Sequence, residues 1–271
     1  MMRGLTLIEL LVVVFILAAI AATAVNFVDN ADLQARHDDT RTRLALVRAA
    51  VVGRPDRTVN GEPELSGFVA DVGRLPASIG ELLQAPAGAP GWRGPYLQTL
   101  PDSGGALAFR DGWGNDWRFE RAPSGDSLLV QSLGSDGAAG GAEYAADYPA
   151  AGNLVDPDDY TVDLARLSFS VVFTGAPNAS ATVRLRADFP DPATGAATSA
   201  RSANAETVTV PESGRSDPVA FTFAAMRAPI GVRDVVVVED ASDAPLGGSP
   251  AAKVAFPARA QLVVRLAWRV P

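Results

Sequence analysis

The alternation of apolar and polar positions divides the chain into stretches of different period. From Leu10 to Phe27 no charged residue occurs, and Leu, Val, Ile and Ala fill most positions without a Pro or Gly. An uncharged run of about 18 residues is long enough to span a bilayer, and nothing in it breaks a helix. Leu5 to Ile8 extend the run and leave room for tilt. Past Phe27 the pattern becomes amphipathic. Leu33, Leu44, Val47 and Val51 recur near helical spacing, with Arg36, Asp39, Arg43 and Arg48 between them. Asp39 and Arg43 form an i,i+4 acid-to-base pair. Gly53-Arg54-Pro55 then stops the helix. One helix over residues 5–52 is predicted, a rod of roughly 70 Å at about 1.5 Å per residue.

Residues 54–152 read as a globular region of short pieces. A short helix is predicted at Ser78–Gln84, followed by a Gly/Pro-rich loop, Ala85–Gly94. Gly114-Asn115 is a turn signal between two aromatic-bearing segments. Trp117-Arg118-Phe119 and Leu128-Leu129-Val130 flank Pro123-Ser124-Gly125-Asp126, which predicts a hairpin. From Asn153 the character changes again. Asp156-Pro157-Asp158-Asp159 reads as a linker or turn. Strands are expected at 166–173, 182–189, 206–210, 219–223, 232–239 and 261–270, with period-2 alternation clearest at Val183-Arg184-Leu185-Arg186 and from Val263 to Val270. About six strands in 153–271 suggest a β-sandwich. The expected fold is therefore α+β: a long N-terminal helix packed on a small antiparallel sheet, then a sandwich-like all-β domain.

Composition narrows the function. Apolar residues make up 48% of the chain, which supports a sizeable core. A net charge of −8 without a Lys/Arg cluster argues against a nucleic-acid partner. There is no cysteine, so disulfides and thiolate metal sites are excluded. A histidine zinc site or a Ser-His-Asp triad would have to rely on His37 alone. His37 lies among charges on the helix and reads as an exposed surface residue. Arg184, Arg186, Arg265 and Arg269 read as the wet faces of strands. Without Cys, and with a single His, nucleophilic catalysis has little to work with, so no enzyme is expected.

The N-terminus holds the most specific chemistry. Ala21-Ala22-Thr23-Ala24 resembles a signal-peptidase site after an apolar region. Glu9 speaks against an ordinary signal: a carboxylate costs roughly 2.5–3.5 kcal/mol at a bilayer centre on insertion scales, so it is a functional residue by default. Gly4 followed by Leu5-Thr6-Leu7-Ile8-Glu9 resembles the signal of type IV prepilins and type II secretion pseudopilins. Further along stand Gly94-Pro95-Tyr96-Leu97, Leu100-Pro101, Asp111-Gly112-Trp113-Gly114-Asn115, and Ser132 through Gly141 with Asp147. Their order is similar to that of the major pseudopilin of type II secretion, and the resemblance covers residues 5–150.

The resemblance implies a precursor with a leader at 1–4, cut by the prepilin peptidase between Gly4 and Leu5 and methylated at the new amino terminus. It implies an assembly helix at 5–53, a pseudopilin-like region at 54–152, and Glu9 pairing with the amine of a neighbouring subunit. Opposite charges attract strongly in low dielectric, and each is costly there alone, so such a pair selects a register between helices. Asn26 stands where the family carries a helix-kinking proline. In that family the last Gly-rich loop binds calcium. Carried over, the ligands are the Leu133 carbonyl, Asp136 and Asp147, with Glu143 in the same loop, and oxygen-rich loops with Gly turns suit a hard cation.

The implied location is the bacterial inner membrane. One span, with the N-terminus cytoplasmic and the globular part periplasmic, agrees with Arg3 before the run and Asp29 and Asp32 after it. The implied partners are the peptidase, other pilin-like subunits and the inner-membrane assembly platform. The 153–271 stretch has no counterpart in the major pseudopilin. It favours, as the alternative, a minor or tip subunit whose β-domain binds cargo, a partner or a surface.

Overall fold

The computed structural model describes residues 7–54, 57–59, 62–99, 101, 105–248, 251–257 and 263–270. Helix α1 runs over Leu7–Val52 without interruption, so Asn26 introduces no break. It ends at Gly53, whose φ of 74° is left-handed and whose N–H donates to the Ala49 carbonyl at 2.8 Å. Along its second half the inward stripe is Leu33, His37, Thr40, Leu44, Val47 and Val51, spaced three or four apart. Along its first half the apolar side chains of Leu7–Ile20 are exposed. Among the described residues no helix is long and apolar enough to cross a membrane, so the single span expected at Leu10–Phe27 is not shown.

The described residues group into two compact units. The first joins α1 up to Leu44 with Arg110–Trp117 and Gln131–Ala150. The second joins Ala45–Phe109, Arg118–Val130 and the chain from Ala151 onward. In the second unit β1 (Thr58–Val59) and β2 (Glu62–Pro63) form a small ladder, followed by α2 (Phe68–Val72) and α3 (Gly80–Leu83). α3 falls within the short helix expected at 78–84. The predicted hairpin is β3 (Arg118–Arg121) and β4 (Leu128–Gln131), closed by Ala122 N–H on the Ser127 carbonyl at 2.9 Å.

Asp156-Pro157-Asp158-Asp159 is not a plain linker. It opens α4 (Pro157–Tyr160), where the Asp156 and Asp159 side chains form a reciprocal capping box and Pro occupies the first turn. Beyond it lie β5 (Thr161–Asp163), β6 (Ser168–Thr174), β7 (Ser180–Pro190), β8 (Ala197–Arg201), β9 (Glu206–Thr209), β10 (Val219–Phe221), β11 (Arg227–Pro229), β12 (Gly231–Glu239), β13 (Ala252–Phe256) and β14 (Val263–Arg269). One open sheet runs β13-β12-β7-β8, with β9 also on β7; the other runs β10-β6-β14, with β14 parallel to β6. β5 and β11 pair separately. Phe169, Val171 and Phe173 of β6 share one core with Val183, Leu185 and Ala187 of β7 and with Val235 and Val237 of β12.

The polar side of β7 departs from expectation. Arg184 and Arg186 are not simply wet. Arg184 pairs with Asp240 and donates to the Ser202 carbonyl, while Arg186 pairs with Asp188 and with Asp243 at 3.0 Å. Arg201 on β8 joins the same acids. Burial opposes the charge on Arg186, but the hydrogen bonds it donates to the Asp188 and Asp243 carboxylates prevail and raise its pKa. Arg265 and Arg269 stay exposed on β14, as expected for an outward face.

Candidate functional site

Glu9 sits in the first described turn of α1, among the exposed side chains of Leu7, Ile8, Leu10 and Leu11. A carboxylate in a first turn is favoured by the helix dipole. The apolar side chains around it form a surface that water alone does not stabilise. Gly4 and Leu5, the processing residues of the sequence reading, lie outside the described residues.

The second cluster lies in the first unit and joins the Asp-Gly-Trp-Gly-Asn segment to the Gly-rich loop. Asp111 is buried at 2% exposure. Its Oδ1 accepts the N–H groups of Trp113 at 3.0 Å and Asn115 at 2.8 Å, and its Oδ2 accepts the Ser132 hydroxyl. Ser132 Oγ in turn accepts the Gly134 N–H, and Asn115 Nδ2 donates to the Gly134 carbonyl at 2.8 Å. Thr40 of α1 donates to the Arg36 carbonyl and accepts the Gly112 N–H at 3.0 Å. A side chain on Gly112 would collide with the Arg36 carbonyl, so only glycine lets this turn approach the helix.

The Gly-rich loop is closed by Ser132 and Tyr148, which exchange both backbone hydrogen bonds, and by Ser135 N–H on the Tyr144 carbonyl. Asp147 Oδ1 accepts the Gly140 N–H at 3.0 Å, and Asp136 Oδ1 accepts the Ala138 N–H at 3.1 Å. Glu143 opens a short 3-10 turn with φ of 53° and an exposed side chain. Leu133 follows Ser132 at the loop's entrance. The loop thus holds all four residues of the expected cation site. Among the described residues no three acidic, His or Cys side chains converge as a metal would need. The donor set is oxygen only, which fits a hard cation and leaves much of the coordination to backbone carbonyls.

His37 is not the plain exposed residue its charged neighbours suggested. Its side chain is 29% exposed and lies edge-on to Tyr148 and Tyr144, with ring centroids 5.3 and 6.1 Å away. Tyr144 also tilts onto Trp113 and donates to Gln34 Oε1 at 3.0 Å. Sequence reasoning missed this aromatic clasp. Its signal was present: His37 falls on the same helical stripe as Leu33, Thr40 and Leu44.

These features define a helix-led structural subunit: an exposed apolar helix start, and a headpiece whose buried polar groups hold turns together. Residues 59–150 match the family described as type II secretion system (T2SS), protein G. The type II secretion system core protein G of Xanthomonas campestris pv. campestris is 31% identical over 115 residues, covering 38% of this chain and 74% of that protein. No solved structure matches the chain. The chain belongs to the protein G family of type II secretion, the pseudopilins, which are structural subunits and not enzymes.

Proposed function

We propose that this chain is a type II secretion pseudopilus subunit made as a prepilin-type precursor. It is cut between Gly4 and Leu5 by the prepilin peptidase and methylated at the new amino terminus. It is held in the inner membrane by the apolar start of α1, with the headpiece on the periplasmic side, and packs as a pilin fold. The inner-membrane platform then adds it to other pilin-like subunits. The observation that carries the reading is Glu9 within a helix start whose apolar side chains are exposed. Once that surface is covered by neighbouring helices the carboxylate loses its water. It then needs a cation, and a neighbour's amino terminus supplies one at a fixed register. The test is Glu9→Val. The variant should fractionate with membranes as the parent does, yet be absent from sheared fibres. Incorporation at the parent's level would overturn the registry role.

A second reading is favoured by the formed core of the 153–271 stretch. A β region of this size on every subunit is a heavy load for a thin fibre, so the chain acts as a minor or tip subunit that presents this region to cargo, a partner or a surface. Counting copies per fibre length separates the two readings. Calcium belongs to the proposal as well. The Leu133 carbonyl with Asp136, Glu143 and Asp147 would hold it, and its chemistry there is to cross-link the loop. A few carboxylates with carbonyl help resemble weak extracellular sites, with Kd of order 10⁻⁴–10⁻³ M.

A further inference from the structure

Arg233 stands on β12 with 7% exposure. Among the described residues no carboxylate forms an ion pair with it; its guanidinium donates to main-chain carbonyls. Nε reaches Pro229 at 3.2 Å, and Nη2 reaches Ile230 and, at 3.4 Å, Val69. Burial pulls its pKa down to about 10, against the pull of Asp71, and it stays protonated at neutral pH. A buried cation without a salt bridge is costly, and the carbonyls it reaches offset part of that cost. Val69 lies in α2, far away in sequence; its carbonyl also accepts the Gly73 N–H at 2.8 Å, so the guanidinium is a second donor there.

The same junction is packed too closely for side chains. A Cβ on Gly231, at φ 131°, would collide with the Ala70 carbonyl, and one on Gly73, at φ 86°, would collide with the Pro190 ring of β7. Further along, Leu128 N–H donates to the Val155 carbonyl at 3.0 Å and Leu154 N–H to the Leu128 carbonyl at 2.8 Å. Tyr160, almost fully buried, donates its hydroxyl to the Asp126 carbonyl at 3.2 Å. Arg48 near the end of α1 pairs with Asp159 of α4 at 3.0 Å. The ties therefore come from β12, β7, α4 and the segment before α4, and they reach α2, the β3–β4 hairpin and the end of α1.

We propose that Arg233 and this junction lock the β region into one cooperative body with the pseudopilin-like residues 45–109 and 118–130. The β region is then a fixed part of the second compact unit, not a module swinging on a linker at 153–159. A partner that grips the β region pulls directly on α2 and on the end of α1. The inference stands apart from the membrane, processing and calcium proposals, because it uses only contacts within one compact unit.

The test uses the full chain in detergent with a protease site inserted at Ala151-Gly152-Asn153, an exposed loop where insertions are tolerated. After cleavage the two pieces should co-elute as a 1:1 complex under native conditions. Arg233→Met keeps the side-chain bulk and removes the donors. It should lower the melting temperature of the nicked protein by roughly 5–10 °C, or release the pieces, since the donors to the Pro229, Ile230 and Val69 carbonyls are lost. Arg233→Lys should recover part of that loss. Separation of the nicked parent into two folded pieces would overturn the proposal. Should the insertion prevent folding, hydrogen exchange on the uncut chain decides. Arg233→Met should lower amide protection in α2 and β12 together, and loss confined to β12 would overturn it.

Discussion

Asp111 shows how a single carboxylate can organise a pseudopilin headpiece. Itself buried, it accepts two backbone N–H groups of its own turn and one hydroxyl from the neighbouring loop. Removing it leaves three donors to find new acceptors. Asp111→Ala is expected to destabilise by about 2–4 kcal/mol, the range for breaking a buried, charge-assisted network. Asp111→Asn should cost less, because its remaining oxygen serves part of the turn. Urea unfolding of both variants, followed by tryptophan fluorescence, checks the order; Trp113 sits inside the same turn. A loss under 1 kcal/mol for the alanine variant would mean that water replaces the carboxylate. The turn itself was legible, since Gly114-Asn115 announces it. The three-way bond was not, because Ser132 is 21 residues away and nothing in local pattern pairs the two. His37 was misread for a related reason: its sequence neighbours are charged, but burial follows the helical stripe.

At the scale of elements, legibility followed period. β7 and β14 alternate cleanly, with Val183, Leu185, Ala187 and Phe189 inward on β7, and both were found. The hairpin of β3 and β4 was found through its turn. β8 was missed because Ala-Thr-Ser-Ala-Arg buries none of its side chains and so has no apolar face to read. β11 was missed because it is three residues long and ends in proline, which strand patterns exclude. α4 was read as a turn because four residues carry no helical period; only the capping box marks it. The Gly-rich loop was legible by composition, and its closure by Ser132 and Tyr148 was not. That closure bears on the calcium proposal. Asp136 and Asp147 each already accept one backbone N–H, so under that proposal the loop keeps its shape without metal and calcium would add stability on top. Replacing both residues by Ala should therefore leave the melting temperature in EDTA lowered by only a few degrees. It should also abolish the rise that millimolar calcium gives the parent, about 2–4 °C per kcal/mol of binding linkage. An unchanged parent melting temperature across EDTA and calcium would remove calcium from this loop.

For the whole molecule the governing fact is where apolar surface remains. Leu7, Ile8, Leu10, Leu11, Val12, Val13, Val14, Phe15, Ile16, Leu17 and Ile20 are all exposed along one end of α1. Elsewhere among the described residues only Leu46, Leu107, Met226 and Val232 are large, apolar and exposed, and they are scattered. Scattered apolar residues are ordinary surface, whereas a continuous patch drives association. The headpiece, by contrast, buries Phe, Val and Leu in its own core and carries paired charges outside. Association should therefore depend on the start of α1 alone. A chain beginning at Asn30 keeps the part of α1 that carries Leu33, His37, Thr40 and Leu44, and with it the contacts that hold the Gly-rich loop. It should sediment as a monomer without detergent and melt within a few degrees of the full chain, because Leu7–Ile20, the described side chains it lacks, are exposed. The full chain should need detergent and self-associate when it is removed. Sedimentation of the shortened chain as an oligomer would place a second self-association surface on the headpiece. A collapse in its melting temperature would instead show that the exposed helix start supports the headpiece core.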